Sequence, residues 1–357
     1  VNLAADVTTS GQVSATMGKL TKSGPGTLTL TNTGANVLAE GSGGETPQAL
    51  RVSDGGLALT GAGQTNLVNG WAAVGTTAST TSSLTLNNGA AMTVNGRAQF
   101  ATAASSSASL TISGTSALQT SEPVQFGLGA GSSVNVLIEN SGSLTKTGGW
   151  FSLGHSSANT TMTIRDSGSL TGTGGDLNVG DTDTSTGVLN LEDNANVSWA
   201  GSSVFVGKNS TTGTLNMSGD SNLTSGNTDI GGNNTSNGTL NMSGTSHYAS
   251  GGRLQVGPGG GSTGTVLIEG SAGMTVNSYV SVGFGGAGTM TIKDDGSFSN
   301  TDDFSVNESG DSPAVVTVQD TASLTVARTL FVGRNDTRVG TLNVIGAAEV
   351  NQTDPAY

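Results

Sequence analysis

The stretch GTLNMSGDSNLTSGNTDIGGNNTSNGTLNMSG, residues 213–244, contains one heptapeptide twice, starting at Gly213 and again at Gly238. Within each copy the apolar residues stand two apart, as in Leu215 and Met217, with a polar residue between them. That spacing puts both on one face of a strand, and nothing here recurs at the three-and-four interval of a helix.

The pattern extends in both directions. The apolar residue that opens each such strand recurs at Leu84, Leu110, Val136, Met162, Leu189, Leu215, Leu240, Val266, Met290, Val316 and Leu342, in steps of 24 to 27 residues. A second apolar residue follows two positions later, from Leu86 and Ile112 to Val318 and Val344. A third comes eight positions after the first, from Met92 and Leu118 to Leu324 and Val350. A fourth, later in the repeat and usually followed by glycine, reads Leu128-Gly129, Leu153-Gly154, Val179-Gly180, Val206-Gly207 and onward to Val332-Gly333.

Three short strands in a repeat of about 26 residues predict an all-β chain, a right-handed parallel β-helix, which is a three-sided β-solenoid. Counting less regular starts at Leu28 and Leu57, the chain holds about 13 rungs. Four residues after each opening apolar position stands Asn88, Gly114, Asn140, Asp166, Asp193, Gly219, Gly244, Gly270, Asp294, Asp320 or Gly346. Only residues that tolerate a left-handed backbone occur there, which predicts a tight corner between the first two strands. The return links vary in length, as in GKNSTTG (207–213) and GGNNTSNG (231–238), and insertions there leave the stack intact. The expected organisation is an N-terminal strand, partial rung or cap over 1–18 and one solenoid domain over 19–357. No signal segment opens the sequence and its last residues stop mid-repeat, so it reads as part of a longer precursor.

Composition excludes several classes. Glycine supplies 57 of the 357 residues, charged residues only 10% and aromatics 4%, which is poor in charge and apolar side chains for a globular enzyme of this size. There are no cysteines, hence no disulfide, thiolate metal site or cysteine nucleophile. A net charge of −13 without any Lys/Arg cluster argues against nucleic acid and against an anionic membrane surface. No apolar run approaches the length of a membrane-spanning helix, so membrane insertion of this segment is not expected.

Near the N-terminus the sequence KLTKSGPGTLTLTNTGANVL (19–38), followed by GGLAL (55–59), resembles the autotransporter-associated β-strand repeat of bacterial autotransporter passenger domains and related exoproteins. Leu20, Lys22, Gly24, Gly26, Leu28 and Leu30 fill the first part of that pattern and Asn36 its turn. The chain departs from it after Asn36, where VLAEGSGGETPQALRV (37–52) replaces the usual aromatic and Gly-Gly-Thr. The resemblance implies a right-handed β-helix, secretion, and an extracellular location at the bacterial cell surface. It implies no single activity, since such passengers include adhesins, spacers and some enzymes.

A search for chemistry finds little. The two histidines, His155 and His247, lie far apart in sequence, and neither has the partners of a catalytic triad or zinc site. Asp166 and Asp193, and likewise Asp294 and Asp320, occupy equivalent corners of neighbouring repeats and are candidate ligands for calcium, the one cofactor considered. The same residues suit the corner for backbone reasons alone. Trp150 and Trp199 are candidate stacking platforms for a glycan. Alternating outward positions such as Thr214/Asn216 and Thr239/Asn241 form a hydroxyl-and-amide ladder of the kind that ice-binding solenoids display.

The expected function is therefore non-catalytic: an extracellular structural or adhesive surface protein, one form of which is a filament or matrix subunit joined by end-to-end or lateral solenoid contacts. Glycans or a host or cell surface are the other expected partners. The alternative is a carbohydrate-active β-helix, either a polysaccharide lyase or a glycan-binding module, and a minor alternative is ice binding.

Overall fold

The computed structural model describes residues 1–15, 19–39, 48–334 and 338–354. Its regular structure is entirely β, with no helix among the described residues. The chain forms two compact units, Val1–Gly175 and Asp176–Tyr357. Each is a β-solenoid of three parallel sheets whose successive strands come from successive repeats.

In the first unit the first sheet includes Thr81–Asn87, Ser107–Ile112, Ser133–Ile138 and Asn159–Ile164. The second includes Ala91–Val94, Ala117–Thr120 and Ser143–Lys146, and the third Ala98–Phe100, Val124–Phe126 and Phe151–Leu153. Val7–Thr9 adds a further parallel strand, beside Thr27–Leu30. In the second unit the three sheets run from Thr186–Leu191 to Gly340–Gly346, from Asn196–Trp199 to Glu349–Gln352, and from Leu177–Val179 to Leu330–Val332.

The sequence columns are physical stacks. Leu84, Leu110, Val136 and Met162 pair in register in the first unit. Leu215, Leu240, Val266 and Met290 do so in the second. All eight are buried, and each side chain so removed from water contributes about 1.5–3 kcal/mol. In most strands of the first two sheets burial alternates, leaving the ladder of Thr and Asn outside, as in Thr212–Met217 and Asn237–Met242. There Asn216 donates to Asn190 and Asn241 to Asn216, each at 2.9 Å, an amide ladder that fixes register.

Every corner position carries the expected left-handed backbone, from Asn88 (φ 53°) to Asp320 (φ 63°). The first glycine of the GTLNMSG heptapeptide has a separate cause. Gly238 sits against the backbone of the third-sheet turn, where a Cβ would collide with Gly231 N and Val206 O. One sequence assignment needs correction. Leu128-Gly129 is not a third-sheet strand end; that strand is Val124–Phe126 and Gly127 turns the chain. Phe126 takes the column, pairing in register with Phe100 and Leu153, and its ring packs 4.9 Å from Phe100 and 5.5 Å from Phe151. Of the departure from the N-terminal repeat pattern over 37–52, residues 40–47 lie outside the described residues.

The corner between the second and third sheets turns backbone carbonyls inward, and buried side chains supply their donors. Lys146 donates its ammonium to the carbonyls of Gly148, Gly149 and Gly174. In the second unit Asn300 donates to Asp302 O at 2.7 Å and Asp303 O at 3.1 Å, and Ser250 to Gly226 O at 2.8 Å. Lys22 serves the next corner, reaching Gly24 O at 2.6 Å and Asp54 O at 2.9 Å. Burial pushes its ammonium down from the usual lysine range, against the raising pull of Asp54 and Asp6.

Candidate functional site

The corner aspartates are occupied with the backbone. Asp166 Oδ2 accepts the N–H of Asn140 at 3.1 Å, Asp294 Oδ2 that of Gly270 at 3.2 Å, and Asp320 Oδ2 that of Asp294 at 3.3 Å. Asp193 holds the same left-handed backbone at φ 57°. Among the described residues no cluster of three or more His, Cys, Asp or Glu has the arrangement of a metal site. The column just before the corner forms ion pairs, with Arg165 Nε 3.0 Å from Glu139 Oε2 and Lys293 2.8 Å from Glu269.

The tryptophans separate. Trp150 is exposed beside Phe151, whereas Trp199 is fully buried at the inner end of Asn196–Trp199 and presents no ring to a glycan. Its inward position follows from strand alternation, since Val197 two residues before it also faces the core. His247 is exposed, and His155 Nδ1 lies 2.6 Å from Ser156 Oγ.

Chemistry gathers instead on the outer face of the third sheet of the second unit. Strands of this sheet are only three residues long, and most bury all three, the outward central one included. The central column reads Asn178, Phe205, Asp229, Gln255, Ser281 and Ser305. Residues just before and just after the strands overhang it, and they carry the charge. Arg253 pairs with Asp229 at 3.1 Å. Lys208 donates to Asn178 Oδ1 at 3.0 Å, approaches Asp176 at 3.8 Å and Asp181 at 4.0 Å, and lies 4.7 Å from the centre of the Phe205 ring. Arg334 reaches Glu308 at 3.4 Å and Asp303 at 3.6 Å, and stacks 4.5 Å above Phe331.

Burial raises the carboxyl of Asp229 above the usual aspartate range, and Asp176 adds to that, while Arg253 pulls it down. Tyr279 is raised by burial as well; Arg253 lowers it, and Glu308 and Asp229 raise it further. Two polar atoms of the column, Asp229 Oδ1 and Ser281 Oγ, find no protein partner although buried. Sequence reading missed this face because it joins outward strand centres, Asn178 and Asp229, to charged residues of links of variable length, such as Lys208 and Arg253. The residue preceding each third-sheet strand, as in Arg253 and Tyr279, was the available signal.

Comparison of the sequence with known protein families and with curated proteins gives no match.

Proposed function

We propose that this chain is a non-catalytic extracellular structural or adhesive surface protein, with the character of a bacterial autotransporter passenger. The observation that carries the reading is the use made of the corner aspartates. The side chains of Asp166, Asp294 and Asp320, best placed by sequence for metal or acid–base work, are spent on the amides of the neighbouring rung. Outer-face amides such as Asn216 and Asn241 are likewise spent on register. Function in such a solenoid belongs to whole faces. Electron microscopy of the purified protein at rising concentration, beside a glycan and cell-surface binding screen, tests the reading. Assembly or surface binding supports it; monomers alone, with no binding, overturn it.

A second reading, a carbohydrate-active β-helix, is favoured by the third-sheet face of the second unit. There the Asp229–Arg253 ion pair lies near Tyr279, charged and hydroxyl groups of the kind that bind sugar hydroxyls. A depolymerisation assay on acidic polysaccharides, with and without calcium and with Asp229→Asn, separates the two. Turnover lost in that variant favours the enzyme, and turnover absent throughout removes it.

A further inference from the structure

Three features of the second unit meet at Lys208. Its ammonium lies 3.0 Å from the carbonyl oxygen of the Asn178 side-chain amide, on the adjacent rung and 30 residues away in sequence. The Asn178 amide is 1% exposed and the nearby Asp181 6% exposed, while the Lys208 side chain keeps 24% of its surface open. Asp181 stands 4.0 Å from the ammonium, and the Phe205 ring lies beneath it at 4.7 Å. A nucleophile, an electrophilic amide and a carboxylate able to shuttle a proton are therefore held together by two paired strands, Leu177–Val179 and Val204–Val206.

We propose that Lys208 and Asn178 form an intramolecular isopeptide bond. Asp181 takes one proton from the Lys208 ammonium, leaving a neutral amine. Nζ then attacks Asn178 Cγ, forming the Nζ–Cγ bond. The Asp181 carboxyl returns its proton to Nδ2 as the Cγ–Nδ2 bond breaks, and a second proton passes from Nζ to the departing nitrogen. The balance is one ammonium and one primary amide in, one secondary amide and one ammonium ion out, with no oxidant and no added co-reactant. Reacting groups fixed near contact distance gain the effective concentration that makes such an attack feasible between otherwise unreactive side chains. Burial of the Asn178 amide limits the access of water that would hydrolyse it instead.

The amides Gln99 and Gln125 hold the same column in the first unit. There Gln99 donates to Gln125 at 3.0 Å, a contact between two amides that has no such chemistry. The proposal does not depend on the surface-protein reading, because a cross-linked solenoid could equally carry a glycan site.

Intact-mass measurement on the denatured full chain tests it. The expected mass falls short of the sequence mass by one ammonia, and a protease digest yields a branched peptide joining the Asn178 and Lys208 segments. Lys208→Arg and Asp181→Asn are expected to restore the full mass. Asn178→Asp is expected to give either the full mass or a deficit of one water, never of one ammonia. Wild-type protein that is folded by circular dichroism, has been held at neutral pH, and shows the full sequence mass with a linear Lys208 peptide overturns the proposal. That readout is taken on wild-type protein alone, so it stands even where a variant fails to fold.

Discussion

Asp166 Oδ2 accepts the backbone N–H of Asn140, one rung away, at 3.1 Å. A residue chosen to turn the chain thus also ties its neighbour, and the corner column is a seam of such ties, continued in the second unit from Asp320 to Asp294.

Asp166→Ala is expected to lower stability by about 2 kcal/mol, because a left-handed alanine costs roughly 1–2 kcal/mol and the lost hydrogen bond about 1 kcal/mol. Asp166→Asn keeps both the backbone tolerance at φ 57° and an acceptor oxygen. Its urea midpoint should stay close to wild type, and equal losses in the two variants would refute this account.

Inside the second unit the phenol of Tyr248 lies 2.7 Å from Thr228 Oγ1, and burial raises its pKa from 10.0 to about 12. The unfolded chain ionises this phenol near 10 and the folded chain only near 12, so the folded state keeps its proton through that window. Its contribution is complete below pH 10 and lost as pH rises to about 12, a fall of about 3 kcal/mol. Tyr248→Phe should start less stable, by about 1 kcal/mol, and show a shallower alkaline decline. Urea unfolding followed across the alkaline range measures both.

Lys146→Met keeps the stem but strips the Gly148, Gly149 and Gly174 carbonyls of their donor. Buried acceptors left without a partner cost about 1–3 kcal/mol each, so a loss of about 3 kcal/mol or more is expected. Lys293→Met, on the exposed pair with Glu269, should leave the denaturation midpoint nearly unmoved. Similar midpoints in the two variants would show that the carbonyl cage is not stabilising.

Asp229 is raised above the aspartate range chiefly by burial, so its charge opposes folding at neutral pH. Because the folded value lies above the unfolded one, the carboxyl favours the native state when protonated, below the unfolded pKa. That advantage disappears as pH rises through the folded value. Asp229→Asn should therefore raise the denaturation midpoint at neutral pH, and the gain should vanish in acid. A uniform loss at both pH values would mean that the Arg253 pair outweighs the cost of burial.

The columns of Leu, Val, Met and Ile were legible in the sequence because each must fit one buried slot, and so was the corner, where sterics admit only Gly, Asn and Asp. Trp199 misled although Val197, an apolar-column residue two positions before it on the same strand, already marked its parity as inward. Leu128 misled because Phe126 fills the same slot two residues earlier. The face around Asp229 and Lys208 was hidden for a different reason. It joins strand centres, Asn178 and Asp229, to residues of links whose lengths differ, so no fixed spacing marks it, and only folding brings Lys208 back over Asn178.

The in-register pairing of Leu215, Leu240, Val266 and Met290 places interchangeable aliphatics above one another and links each rung to its immediate neighbours. A gene encoding such a chain can gain or shed a whole repeat by unequal recombination, and the flanking repeats will close over the join. Within a unit, length becomes a trait that selection can adjust in increments of one rung, without redesigning anything that remains.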